Sequence, residues 1–217
     1  MAVVDFYAIP LATATAEFRD RGSKFIGWLA PVRSEEAALA VVEERRRAHP
    51  KCNHHCYAYR IGEGQDRYRT NDDGEPSGTA GRPIMGQIDK AGLSDVIVVV
   101  SRYFGGTKLG TSGLINAYRE AARAALAEAP IGRRQLVTPV TLYFGYDLMG
   151  EVLSALSALG IDMVEQEFAT TCRVRLEPSR TRARALVREL KAAVAGVYSA
   201  EVDDDFEVKG LRVEVAE

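Results

Sequence analysis

The stretch Ser101–Ala121, SRYFGGTKLGTSGLINAYREA, decides how the first half of this chain is read. An apolar run, Val96 to Val100, leads into it, and an alanine-rich segment leaves it. The run is apolar on both faces and reads as a central buried strand. Leu114, Tyr118, Ala121, Ala125 and Leu126 then mark one face of a helix. Between strand and helix lie Gly105, Gly106, Gly110 and Gly113, each costly to order. Strand, glycine loop and helix form a layout for anion capture, because the first N–H groups of a helix are unpaired and its dipole is positive there. Arg102 and Lys108 add charge, and Thr111 and Ser112 add hydroxyls. Gly105 and Gly110 have the spacing of a nucleotide P-loop, but Thr111 and Ser112 stand where its Lys and Ser/Thr belong. Two readings stay open: a phosphate site, or a tight strand-to-helix connection with close backbone packing.

With 217 residues the chain suffices for one large domain or two small ones. Its 47% apolar and 27% charged residues are those of a soluble globule, and a net charge of −2 exerts no overall pull toward nucleic acid or membrane. The opening MAVVDFYAIP lacks an early base and carries Asp5, which makes a poor secretory signal. Val96–Val100 is far too short to span a bilayer. A cytoplasmic protein without membrane attachment is expected. The 3 cysteines lack regular spacing, which argues against a disulfide framework.

Glu128–Pro139, EAPIGRRQLVTP, reads as a boundary with its linker near Ile131–Arg134. It separates a first domain, residues 1–132, from a second, residues 135–217. The charge balance changes with it: 19 Lys and Arg against 16 Asp and Glu in residues 1–134, and 9 against 14 thereafter. In the first part, two strands flank Asp20–Gly22, and Ser34 caps a helix that stops before Pro50. NHHCYAYRI is a strand with His54, Cys56 and Ala58 on one face and His55, Tyr57 and Tyr59 on the other. A further strand lies near Tyr68–Thr70, a loop follows in NDDGEPSGTAGRP, and a short helix covers Ile84–Lys90. In the second part a strand at Leu136–Phe144 precedes a helix capped by Asp147 and ended by Gly160. Strands at Ile161–Ala169 and Cys172–Leu176, a helix from Ser179 to Val194 and a last strand at Tyr198–Glu207 complete a βαββαβ order. That is the split-βαβ arrangement of ferredoxin-like domains, and the fold class is α+β.

Three other groupings carry chemistry. His54 and Cys56 share a strand face and are weak candidates for a metal site; a buried thiol beside a hydrogen-bonded histidine is the simpler reading. Asp72, Asp73, Glu75 and Thr79 lie in the loop before the short helix, where such residues hold a ligand or make turns and cap. Arg180, Arg184, Arg188 and Lys191 form a basic stripe on one helix, read as a solvated face.

HHCYAYR, DDGEPSGTAGRP and VIVVVSRYFGGTKLGTSGLINAYREAARAAL, in that order, resemble the YigZ/IMPACT family. The family's signature residues fall on Asp72–Pro76, Gly78–Gly81, Pro83, Arg102–Gly106, Leu109, Gly110, Gly113, Leu114, Ala117 and Tyr118. The family commonly carries a basic residue at the place of Asn116; here the base stands about one turn later, at Arg119. The resemblance implies a first domain similar to domain IV of elongation factor G and a second similar to its domain V. It also implies a translation-linked role with RNA, the ribosome or a protein of translation control as partner. No cofactor is expected. The expected function is a non-enzymatic RNA- or ribosome-binding protein whose anion site comprises Arg102, Tyr103, Gly105, Gly106, Lys108, Gly110, Thr111, Ser112 and Arg119. The alternative is an enzyme, for example a hydrolase, acting on a phosphorylated metabolite, with Asp72, Asp73 or His54 as acid, base or metal ligand.

Overall fold

The computed structural model describes residues 5–63 and 66–216. The reading of the first four residues therefore lies outside the described part. By contact the chain divides into Tyr7–Arg134 and a second unit that runs from Gln135 onward and also takes in Asp5 and Phe6.

The first unit begins with all but the first residue of β1 (Phe6–Pro10), then β2 (Ala14–Asp20) and β3 (Ser23–Pro31), followed by α1 (Glu35–Ala48). Then come β4 (His54–Arg60), β5 (Tyr68–Asn71), α2 (Gly81–Ala91), β6 (Val96–Tyr103), α3 (Gly110–Ala127) and β7 (Ile131–Gln135). Five strands form one antiparallel sheet in the order β2-β3-β6-β4-β5. The valine run is its middle strand, and Val96 to Val100 are fully buried because helices cover both faces. Val96, Val98 and Val100 pack with Cys56 and Ala58 under α2 and α3, in a core that includes Ile84, Ile88, Leu114 and Tyr118. Ile97 and Val99 pack with Tyr57 and Tyr59 against Ala38 and Val42 of α1. The expected alternation along β4 thus sorts its side chains between two cores. Ser34 caps α1 as expected, its Oγ accepting from Ala37 N at 3.2 Å.

Residues Ile131–Arg134, read as a linker, are strand β7, paired with β1. Buried Asp95 ties this ribbon to the rest of the first unit: it accepts from Tyr7 Oη at 2.7 Å and from Gly62 N at 2.9 Å, and it pairs with Arg134.

The second unit holds β8 (Val140–Phe144), α4 (Met149–Ala158), β9 (Glu165–Phe168), β10 (Cys172–Leu176), α5 (Ala183–Ala195) and β11 (Leu211–Val215). Its sheet runs β11-β8-β10-β9, all antiparallel, the order that a split βαβ produces. Val140, Leu142, Phe144, Val174 and Leu176 form its core with Val152, Leu156 and Leu190 of the two helices. Three expectations need correction here. The last strand is not Tyr198–Glu207, which holds only a 3₁₀ turn, Ser199–Glu201; the aspartates 203–205 favour turns, and the alternating Leu211, Val213 and Val215 supply the strand instead. The strand Leu136–Phe144 is broken before Val140, where Pro139 has no N–H to donate. Asp147 lies within the 3₁₀ turn Tyr146–Leu148, and no side chain caps α4. Gly160 does follow the end of α4 in the left-handed conformation, φ +63°.

Candidate anion site at the start of the third helix

One end of the five-stranded sheet gathers four connections: β2–β3, α1–β4, β5–α2 and β6–α3. The registers require it, since Tyr103 pairs with Lys24 and Arg102 with both Phe25 and His54. Both loops singled out in the sequence meet there.

The β5–α2 loop is held by its own acids. Asp72 Oδ1 accepts from Ala80 N at 3.0 Å and Gly81 N at 2.8 Å, and Oδ2 accepts from Gly78 N at 2.8 Å. It caps α2 from eight residues upstream, which local sequence rules for caps do not anticipate. Asp73 accepts from Arg46 at 2.6 Å and from His55 N at 2.6 Å. Thr79 is buried, its hydroxyl donating to the Pro76 carbonyl at 2.7 Å. Glu75 is buried, with one oxygen accepting from Arg102 at 2.6 Å and from Tyr118 Oη at 2.8 Å. These carboxylates are engaged in building the loop, which weakens the reading of them as acid, base or cation ligand.

Arg102 is therefore not the surface cation that the sequence suggested. Its guanidinium is buried against Glu75, 5.4 Å from the Phe25 ring centroid and 5.6 Å from that of Phe104. It lies on the same face of β6 as Val98 and Val100, under α2 and α3, so strand alternation turns it inward. Tyr103 points to the opposite face, is half-buried, and shares a hydrogen bond with His49 Nδ1 at 3.0 Å. The two weak metal-ligand candidates both bond the β5–α2 loop. His54 Nδ1 bonds the Asp73 carbonyl at 2.8 Å, and the Cys56 thiol donates to the Asp72 carbonyl at 3.0 Å. Burial pushes the Cys56 thiol well above its ordinary range, which keeps it protonated and a poor ligand.

The β6–α3 loop is open to solvent at this end. Phe104 to Lys108, Gly110, Thr111 and Ser112 are exposed, and Arg119 is exposed further along α3. No side chain caps α3. Leu109 is right-handed, φ −81° and ψ −22°, while Gly110 has φ +71°. A right-handed residue followed by a left-handed one turns successive N–H groups toward one point and makes a nest for an anion. Gly105 serves close packing instead, since a Cβ there would lie 1.9 Å from the Gly22 carbonyl carbon. Its N–H donates to Ser23 Oγ at 3.2 Å. Gly105 thus serves the tight connection, while the backbone at Gly110 has the geometry that the phosphate reading requires. Contact with Gly22 also brings the β2–β3 turn, and with it exposed Arg21, beside the loop. Neither Arg21 nor Lys108 forms an ion pair among the described residues. Sequence reasoning missed Arg21, because nothing local links that turn to a loop some eighty residues later.

Asp72 sets a pH expectation. Burial by itself would raise its pKa, but the three backbone N–H donors from Gly78, Gly81 and Ala80 outweigh that and hold it below the usual value of 3.8. Its stabilising contribution is complete above pH 3.8 and is lost as the pH falls through the lower, folded-state value. Asp72→Asn should therefore cost about 2 kcal/mol at neutral pH, and the difference from wild type should close in acid. Urea titrations at neutral and acid pH measure it; a gap that widened in acid would contradict this account.

The candidate site is a turn of converging backbone N–H groups at the start of α3, on a helix-covered antiparallel sheet, with exposed Lys108 in the same loop and the buried Glu75–Arg102 pair beneath it. Residues 21–126, which hold nearly all of it, match the Impact N-terminal domain. The chain is 39% identical over 145 residues to IMPACT family member YigZ of Escherichia coli, covering 66% of this chain and 71% of that protein. It is 50% identical over 108 residues to an IMPACT family member of Thermus thermophilus, covering 50% of this chain and 57% of that one. A crystal structure of a hypothetical protein superposes with a TM-score of 0.73 at 30% identity, covering 99% of this chain and 98% of the other. The chain belongs to the IMPACT family.

Proposed function

We propose that this chain is a non-enzymatic RNA- or ribosome-binding protein of translational regulation that holds nucleic-acid phosphate at the start of α3. The observation that carries this reading is the uncapped Leu109–Gly110 nest, in which Leu109 is buried and Gly110 exposed, with exposed Lys108 just before it in the chain and exposed Arg21 in the turn that packs on Gly105. The first N–H groups of α3 and the hydroxyls of Thr111 and Ser112 would donate to phosphate oxygens. Phe104, 56% exposed at the start of the same loop, offers a ring face for a base. Arg119 extends the basic edge along α3. The translation link rests on the family resemblance, and the site is compatible with a protein partner in the same process.

Gel mobility of RNA fragments and sedimentation with ribosomes, each at low and high salt, test the reading. Binding should weaken steeply with salt. Arg21→Ala with Lys108→Ala should flatten the dependence of log affinity on log salt by about 0.7 for each single-strand phosphate contact removed. Phe104→Ala should cost about 1–3 kcal/mol if one base stacks there. Absence of salt-dependent binding to either RNA or ribosomes would refute the proposal.

A further inference from the structure

A groove of about 790 Å³ lies on the second unit between α5 and β11, independent of the nest. Ala183 and Val187 of α5 and Val215 of β11 supply its apolar surface, and Arg184, Arg188 and Lys191 line its helical wall. Asp204 meets part of that charge: Arg188 Nε stands 3.9 Å from its carboxylate, and Lys191 donates to its carbonyl at 3.3 Å. Arg184 has no ion-pair partner among the described residues. The wall therefore carries an excess of cations over an apolar floor.

The other wall is a sheet edge. Among the described residues β11 pairs with β8 on one side only. Ala216 N donates to the Pro139 carbonyl at 2.9 Å, on the β8 side. Backbone direction alternates along a strand, so the N–H and C=O groups of Val213 and Val215 point to the open edge. Leu211–Val215 contains neither proline nor lysine, the usual guards of an exposed edge. Val213 lies opposite Leu142, a core residue, so its side chain is on the helix-covered face.

We infer that this groove captures an acidic peptide, which adds to β11 as a fifth strand. The repeats match: side chains two residues apart on a strand recur every ~6.8 Å, and Arg184 and Arg188, four residues apart on a helix, every ~6 Å. Carboxylates at alternate positions of the added strand meet successive guanidinium groups, while the backbone meets the alternating donors and acceptors of the edge. A nucleic-acid backbone has acceptors but no matching row of donors for the C=O groups, so the edge selects a polypeptide.

The test uses the full chain and a fluorescent decapeptide of alternating glutamate and valine, with alternating lysine and valine as control. Anisotropy should show salt-sensitive binding of the acidic peptide alone, and the amides of Val213 and Val215 should gain protection from hydrogen exchange. Arg184→Ala with Arg188→Ala should weaken binding roughly tenfold or more, the scale of a lost charge-assisted bond. Val215→Pro removes one outward N–H at an exposed edge position, so it should keep the fold, checked by its melting curve, and abolish binding. Equal binding of both peptides, indifference to Val215→Pro, displacement by oligouridine, or self-association of the chain through β11 would each overturn the inference.

Discussion

Arg102→Ala should destabilise the first unit by about 3–5 kcal/mol, the usual consequence of removing one partner of a buried ion pair. The Glu75 and Arg102 side chains are only 4% and 8% exposed, 2.6 Å apart, and the same glutamate oxygen accepts from Tyr118. Truncating Arg102 strands a carboxylate in the core that contains Phe25 and Tyr118. Replacing the whole group, as Glu75→Leu, Arg102→Met and Tyr118→Phe together, should recover most of the loss, because no polar group is then left unsatisfied. Urea unfolding followed by the fluorescence of Trp28, the chain's 1 tryptophan, reports on this unit directly. A loss below ~1 kcal/mol, typical of a surface change, together with lost RNA binding, would return Arg102 to the role of a phosphate ligand.

The second large effect concerns two adjacent glycines that look equivalent in the sequence. Gly105→Ala should cost about 3 kcal/mol, at the upper end for forced overpacking. The new methyl would lie 1.9 Å from the Gly22 carbonyl carbon and 2.2 Å from Ser23 N. Both obstacles are backbone, so only a shift of the β2–β3 turn relieves them, and that breaks the Gly105–Ser23 hydrogen bond. Gly106→Ala meets nothing within 4 Å and carries only the strain of φ +88°, about 1–2 kcal/mol. The same Trp28 titration separates them, and equal losses would contradict the close-approach argument. On the proposed function, Gly105→Ala should also weaken RNA binding, because it shifts the β2–β3 turn that carries Arg21.

The elements of the first unit are legible because their signals are local. Alternation along His54–Arg60, the cap at Ser34 and the apolar run before Ser101 each state a conformation without help from distant residues. Tyr198–Glu207 forms no strand because, apart from Val202 and Phe206, it is exposed and interrupted by turn-forming aspartates, and it pairs with no strand among the described residues.

By itself the sequence determined an α+β chain of two parts, the glycine loop between a buried strand and a helix, and the family to which those residues belong. Only the tertiary structure decided which charges are available. Arg102 and Lys108 are both bases beside the same glycines, yet one faces inward against a glutamate 27 residues away and the other faces solvent. The cations that remain come from separate segments, and Arg21 joins the loop only because Gly22 packs on Gly105. The reason is physical: burial and pairing are set by sheet register and by contacts between distant segments, and neither is written in the residues next to a charge.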